Sequence, residues 1–486
     1  MNLITLLLLP SVIALVLLPW IENRKYATHV NAILCSLSFI ISIILGYVIY
    51  VEDTALFFFK DWFMCDKLNV LFIILSSFIG MSTSFYSISY LDNENKTHLH
   101  PLVYRFYHTT YQLFLLGMLI VLLSNNIGMM WIAMELATIS SIALVGLRQT
   151  PQALEASWKY LILCGVGIGF ALLGTVILYF GAYTHGLGEE GLLWTKLMTN
   201  ISQIPAKLLS ISFVFLFVGY GTKVGFVPLH NWLPDAYAEG YPMVNALSSG
   251  ALLNLALFAL LKFKLLFANA GLINFPCYLF LTFGFISLFF AALSLFRQRT
   301  LNRLLAYSSI EHMGLISIAI GIGNRLALLT AILHIWIHAL VKTALLLISG
   351  TVIQQFHTQV LQKIRALFEK SPITASLFLI SFLAILGLPP SGLFISELLL
   401  ILAAMEANIG LMILLVVGLI LAFLAILLKT QPLFFGQLNT PITHLKNTKH
   451  IYWTVGAHLI LVIIAGLYMP IFLLDSAIYS IIGGKS

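Results

Sequence analysis

The sequence predicts an all-α integral membrane protein with about fourteen transmembrane helices. Three observations carry this reading. The 486 residues are 60% hydrophobic and only 9% charged, against about a quarter charged in soluble domains. The mean hydropathy is +1.01. Apolar runs of about twenty residues, the length that crosses a bilayer, recur along the chain. A β-barrel would instead show segments of about ten alternating residues.

The first run, 2–19, has no basic segment ahead of it and no small-residue cleavage site, so it reads as a retained helix. Runs two to four, near 28–50, 68–91 and 108–126, are uninterrupted. The fifth, 127–147, carries Glu135 just after Trp131, and the sixth spans 157–182. The seventh, 206–230, contains Gly219, Gly221 and Gly225 and then Pro228, with Lys223 five residues before the proline. The eighth, 242–265, holds Lys262, and the ninth spans 271–296. The tenth, 301–322, contains Ser308, Ser309, Glu311 and His312. In the eleventh, 326–354, His334, His338 and Lys342 recur at spacing four. They share one helical stripe, about 6 Å apart along the axis. The twelfth, 372–403, is interrupted at Gly387, Pro389 and Pro390, and Glu397 follows Pro390 by seven residues. The thirteenth, 408–432, carries Lys429, and the fourteenth spans 452–474.

The formal charge of +7 does not indicate nucleic-acid binding. One set of loops holds fourteen Lys and Arg and the opposite set, in which Lys264 is counted, seven; Lys223, Lys262, Lys342 and Lys429 complete the 25. The richer set marks the cytoplasmic face, and an even number of crossings puts both termini outside. Cys35, Cys164 and Cys277 lie in apolar runs and Cys65 in a short loop, without metal or redox spacing. Gly483, Gly484, Lys485 and Ser486 look like the end of a phosphate-binding loop, but Tyr479 replaces its first glycine and no helix follows. No cofactor or metal site is expected in the chain.

Glu135, Lys223, Lys262, Lys342, Glu397 and Lys429 stand out among the ionisable residues within the runs. Each costs about 2.5–3.5 kcal/mol or more at mid-bilayer, so such residues mark charge pathways. Interrupted helices five runs apart, each with a nearby charge, predict two inverted five-helix repeats around a midplane site. Runs four to eight would pair with runs nine to thirteen, placing Lys262 opposite Lys429. The expected organisation is residues 1–107 for helices one to three, 108–265 and 271–432 for the two repeats, and 433–486 for the last helix and tail. The plain alternative, prolines that only kink helices, leaves the charges unaccounted for.

Burial favours the neutral form of a lysine or glutamate, and pairing restores the charged form. A Glu135–Lys223 pair that opens and closes would therefore move a proton. Histidine titrates near neutrality, so His334 and His338 leading to Lys342 read as a relay; a polar seam and a metal site are the alternatives weighed. Glu311 and His312 are adjacent, so one is expected to serve the relay and the other a helix contact. His230, Asp235 and Glu239 either gate proton uptake or cap the re-entering chain, and both readings stay open. Lys429 lies near a helix end and can snorkel to the surface.

The stretches around Trp131 and Glu135, from Lys223 through Pro228, Trp232, Pro234 and Asp235, from Asn302 through Tyr307 to His312 and Gly314, and from Gly387 to Pro390 carry a resemblance. The chain resembles the antiporter-like membrane subunits shared by respiratory complex I, multisubunit sodium/proton antiporters and group 4 membrane-bound hydrogenases. Glu397 is similar to the M-type complex I subunit and the hydrogenase-4 component F group, and the wording around Glu311 and Glu397 looks most like the latter. Gly240 to Asn245 departs from the family pattern, which puts the detail of the uptake region in doubt. The resemblance implies a switching pair of Glu135 and Lys223, a central relay at Lys262, Lys342 and Glu397 toward the exit, and His312, His334 and His338 on the connecting axis.

The expected function is a proton-translocating subunit of a hydrogenase-4 or complex I-like respiratory complex in the bacterial inner membrane. Partner membrane and peripheral subunits would carry the redox chemistry, so no redox centre is expected here. A lysine–histidine path favours protons over sodium, since a charged lysine has no lone pair to offer. Two alternatives of other classes stay open. One is a cation/proton antiporter or inorganic-carbon uptake subunit without redox coupling. The other is a membrane spacer whose charges only hold helices together.

Overall fold

The computed structural model describes residues 3–94, 101–435, 442–445 and 447–468. Lys96, Lys446 and Lys485, counted in the loop charge, lie outside them, as does the tail from Gly483 to Ser486. The helices in chain order are α1 (Leu3–Leu17), α2 (Arg24–Glu52), α3 (Lys67–Asn93), α4 (Pro101–Leu123), α5 (Ile127–Val145) and α6 (Pro151–Ala182). Next come α7 (Trp194–Asn200), α8 (Ala206–Val224), α9 (Trp232–Glu239), α10 (Pro242–Leu247), α11 (Leu253–Asn269) and α12 (Asn274–Leu295). The last seven are α13 (Leu301–Ile322), α14 (Arg325–Phe356), α15 (Leu367–Lys370), α16 (Pro372–Ile385), α17 (Gly392–Ala407), α18 (Ile409–Phe434) and α19 (Lys449–Leu467).

Among the described residues, thirteen helical segments are long and apolar enough to cross a membrane. The predicted twelfth run is the exception, because it divides into α16, of 14 residues, and α17, of 16. Its break at 386–391 satisfies its own backbone. The Ser391 hydroxyl accepts from the Phe394 amide and donates to the Ala384 carbonyl, each at 3.4 Å. The seventh run breaks after Val224, where Gly225 takes a left-handed φ of 83° and ends α8. The freed Thr222 carbonyl accepts from the Trp232 indole at 2.8 Å, and the Val227 amide donates to Ser287 of α12 at 3.0 Å. Non-helical backbone at membrane depth needs such partners. Each break contains a cis X-Pro bond, at Val227–Pro228 and at Pro389–Pro390. A third irregularity, a π-turn over Ser248–Leu252, joins α10 to α11.

α4 packs on α5 as α12 does on α13, and α5 packs on α6 as α13 does on α14. The best-covered helix is α14, with 94% of its central window buried, against 28% for α18 on the rim. Ile413, Val417, Ile420 and Leu424 of α18 are exposed, as expected of a lipid-facing stripe.

Three local features differ from the sequence reading. Residues 56–65 form an antiparallel hairpin, Leu56–Phe58 against Phe63–Cys65. The segment 183–205 folds back as short helices, and the Trp194 amide donates to the Asn125 carbonyl at 2.7 Å. Lys264, assigned to a loop, is buried within α11 and donates to the Ile320 carbonyl at the end of α13. There it meets the negative end of the helix dipole.

Candidate functional site

Glu135 and Lys223 are brought to one place by the tight packing of α6 on α8. The Ser212 hydroxyl donates to the Gly174 carbonyl at 2.8 Å, and the Trp131 indole donates to the Ile168 carbonyl at 2.8 Å. Lys223 is fully buried at the end of α8, beside Cys164 of α6 and within electrostatic reach of Glu135. The two charges form no ion pair, and both Lys223 Nζ and Glu135 Oε2 lack a hydrogen-bond partner. Cys164 is the polar side chain next to the lysine, so Glu135 and Lys223 stand near each other without being clasped together.

The second cluster is denser. Lys342 of α14 is fully buried and donates to the Leu305 carbonyl of α13 at 2.8 Å. Glu311 of α13 is the carboxylate within electrostatic reach of it. His312 Nδ1 lies 3.0 Å from His334 Nε2, and His334 Nδ1 lies 3.0 Å from Ser396 Oγ on α17. His338 lies nearby, its ring tilted against that of His312 with centroids 5.1 Å apart, and neither of its nitrogens has a partner. A cavity of about 250 Å³ between α13, α16, α17 and α18 is lined by Glu311, His312 and Glu397. Gly387, at φ 65°, makes room for this arrangement, since a Cβ there would collide with the Glu397 carboxylate.

Glu311 and His312, adjacent in sequence, turn toward one place in the structure. Glu311 Oε2 lies 3.4 Å from His312 Nε2, and both line the same cavity. The adjacent side chains converge because α13, α14 and α17 meet around them.

Between the two clusters lies the π-turn. Ser249 Oγ is 3.0 Å from Ser309 Oγ of α13, with Tyr237 beside both. The close approach of Gly250 to Thr343 and the Ala339 carbonyl sets the turn against α14 next to Lys342. Asn254, one helical turn on, donates to the Gly250 carbonyl at 2.7 Å and leaves its Oδ1 buried without a partner. The sequence does not single out Ser249, Asn254 and Ser396, and marks Cys164 only as lacking metal or redox spacing; neutral polar residues in apolar runs give no signal until their neighbours are known.

Lys262 is not brought to either cluster. It lies near the outer end of α11, its Nζ 4.6 Å from the Trp194 ring centre and 5.3 Å from that of Phe258. Asp66 and Cys65, at the start of α3, are its charge neighbours. A buried cation over two aromatic faces is stabilised without an anion. Asp235 is a surface clamp, 3.1 Å from Lys159 of α6 and 2.5 Å from Arg303 of α13. Lys429 lies at the Lys/Arg-rich end of α18, beside Arg297, Arg299 and Arg365. Among the described residues, no group of three His, Cys, Asp or Glu could hold a metal ion.

A family model described as NADH:quinone oxidoreductase/Mrp antiporter, transmembrane, matches residues 124–425, which include both clusters. The chain is 40% identical over 461 residues to the hydrogenase-4 component F homolog of Methylacidiphilum infernorum (isolate V4), covering 94% of each. Its fold is similar to a chain of the membrane-bound sulfane sulfur reductase, an archaeal respiratory membrane complex. That match has a TM-score of 0.88 at 22% identity and covers 99% of this chain and 97% of the other. It is also similar to a chain of the Mrp complex from Dietzia sp. DQ12-45-1b, with a TM-score of 0.86 at 17% identity and the same coverage. With that family model matching well over half of the chain and a relative aligned across nearly all of it, the protein belongs to the NADH:quinone oxidoreductase/Mrp antiporter family of multi-pass membrane proteins.

Proposed function

We propose that the chain is the proton-translocating subunit of a respiratory membrane complex of the hydrogenase-4 or complex I type, working in a bacterial inner membrane. Partner subunits would hold the redox centres. One observation carries the reading: in each half a carboxylate lies within electrostatic reach of a fully buried lysine without forming an ion pair, Glu135 with Lys223 and Glu311 with Lys342. An arrangement whose only work was to hold helices together would close those pairs, because a buried unpaired charge is costly. The path runs from Glu135 to Lys223, past Tyr237, Ser249 and Ser309 to Lys342 and Glu311, through His338, His312 and His334, and ends at Glu397. Lys262 stands at the opposite face from the Lys/Arg-rich loops and serves the outward end.

The steps use only this chain's groups. When the Lys223 ammonium moves away from Glu135, its proton passes toward the Ser249–Ser309 link and Lys223 becomes neutral. The arriving charge favours proton release from Lys342 toward the histidines, and Glu397 takes the proton into the cavity. A second reading, a cation/proton antiporter without redox coupling, is supported by the fold shared with the Mrp complex. The test is proton translocation by the assembled complex carrying Glu135→Gln or Lys223→Met. Each is expected to lower the rate about tenfold or more, the equivalent of about 1.4 kcal/mol on the barrier. Full translocation in both variants would refute the reading.

A further inference from the structure

Four cations that the path does not use meet on the Lys/Arg-rich face. A cavity of about 410 Å³ lies between the α12–α13 linker, the segment after α14 and the end of α18, and Arg297, Arg299, Arg365 and Lys429 line it. The two linkers hold each other in register. Thr300 bridges Val360, the Leu301 amide donates to the Gln359 carbonyl at 2.8 Å, and the Leu361 amide donates to the Arg299 carbonyl at 3.0 Å. No carboxylate lines the cavity, and none of the four cations forms an ion pair among the described residues. Arg365 Nε is buried without an acceptor.

Like charges around one pocket repel, and an orphaned guanidinium donor calls for an oxygen acceptor. Guanidinium groups match phosphate oxygens in geometry as well as charge. The pocket opens beside Leu428, which is 59% exposed, at the foot of the apolar outward stripe of α18. We propose that this is a binding site for an anionic phospholipid, its phosphate held among Arg297, Arg299, Arg365 and Lys429 and its acyl chains lying along α18. Basic pockets between helix ends on the cytoplasmic side are suited to such headgroups. The site also gives Lys429 a role: it is an interfacial headgroup ligand rather than a member of the path.

The test uses the assembled complex in two arms. In the first, native mass spectrometry follows retention of phosphatidylglycerol after reconstitution into phosphatidylcholine nanodiscs with or without it. Wild type retains the anionic lipid. Lys429→Gln and Arg299→Gln each lower retention about fivefold, and inorganic phosphate at the same concentration does not displace it. Undiminished retention in both variants overturns the proposal, and displacement by inorganic phosphate shows a free-anion site instead. In the second arm, a benzophenone amino acid replaces Leu428 in the otherwise native complex. A phosphatidylglycerol adduct on photolysis supports the proposal. A cross-link to a partner subunit overturns it and assigns the pocket to a protein contact.

Discussion

Each half places a carboxylate near a fully buried lysine, half-buried Glu135 near Lys223 and buried Glu311 near Lys342, yet the two halves surround the lysine differently. In the first half, Lys223 Nζ and Glu135 Oε2 have no hydrogen-bond partner, and Cys164 is the polar side chain beside the lysine. In the second half, Lys342 is held by the Leu305 carbonyl, and the path onward is linked from His312 to His334 to Ser396. Unsatisfied groups favour movement, and connected groups favour transfer. On the proposed path the first half would act as the switch and the second as the conductor.

The two breaks sharpen this contrast, and substitutions there should have the largest effect. Gly387 and Gly225 both hold positive φ, so valine strains the backbone at either position. At Gly387 the new side chain also meets the Glu397 carboxylate, whereas at Gly225 it meets the end of Leu233 at 3.0 Å. Gly387→Val is expected to lower translocation about tenfold or more beyond any loss of assembled complex, about 1.4 kcal/mol or more. Gly225→Val should lose function only in proportion to assembly. Native gels for assembly and vesicle acidification for translocation separate the two; equal loss per assembled complex would break the comparison.

Next come the histidines. His334→Ala removes the member bonded on both sides and strands His312 Nδ1, a cost of about 1–3 kcal/mol for an unsatisfied buried group, while Ser396 keeps its bond to the Leu393 carbonyl. His338→Ala strands nothing, since neither of its nitrogens has a partner. A thermal-shift assay should therefore show the larger loss for His334→Ala, and both variants should slow translocation. A smaller effect is expected at Ser249→Ala, which breaks the 3.0 Å link to Ser309. Stability should fall by about 1 kcal/mol, with translocation slowed while the Glu135–Lys223 switch is intact. The smallest belongs to Asp235→Asn. Its partners Lys159 and Arg303 are about half exposed, and exposed pairs contribute about 1 kcal/mol or less. Stability should change slightly and less so in high salt, with translocation unchanged.

Much of this was legible in the sequence, and the reasons differ by feature. Spans are long apolar runs, and hydropathy is a local property. The breaks at Pro228 and Pro390 follow from residues that cannot continue a helix. The histidine stripe follows from a spacing of four, and the structure joins its first member to His312 across two helices. What the sequence withheld depends on which helices face each other. Glu311 and His312 diverge on an isolated helix, but three helices converge on both. The resemblance implied a central relay at Lys262, whereas on α11 its ammonium lies over the Trp194 ring. Lys264 looked like a loop charge because the carbonyl that receives it, Ile320, is 56 residues away.

The central claim is that a proton must pass through both halves. Glu311→Gln tests it most directly, because it removes a carboxylate from the second half while leaving Glu135 and Lys223 in place. Protons translocated per turnover are measured in vesicles containing the assembled complex. The account predicts loss of most of that translocation, with the complex assembled at the wild-type level. Translocation at the wild-type ratio would show that the second half conducts without Glu311, and would contradict it.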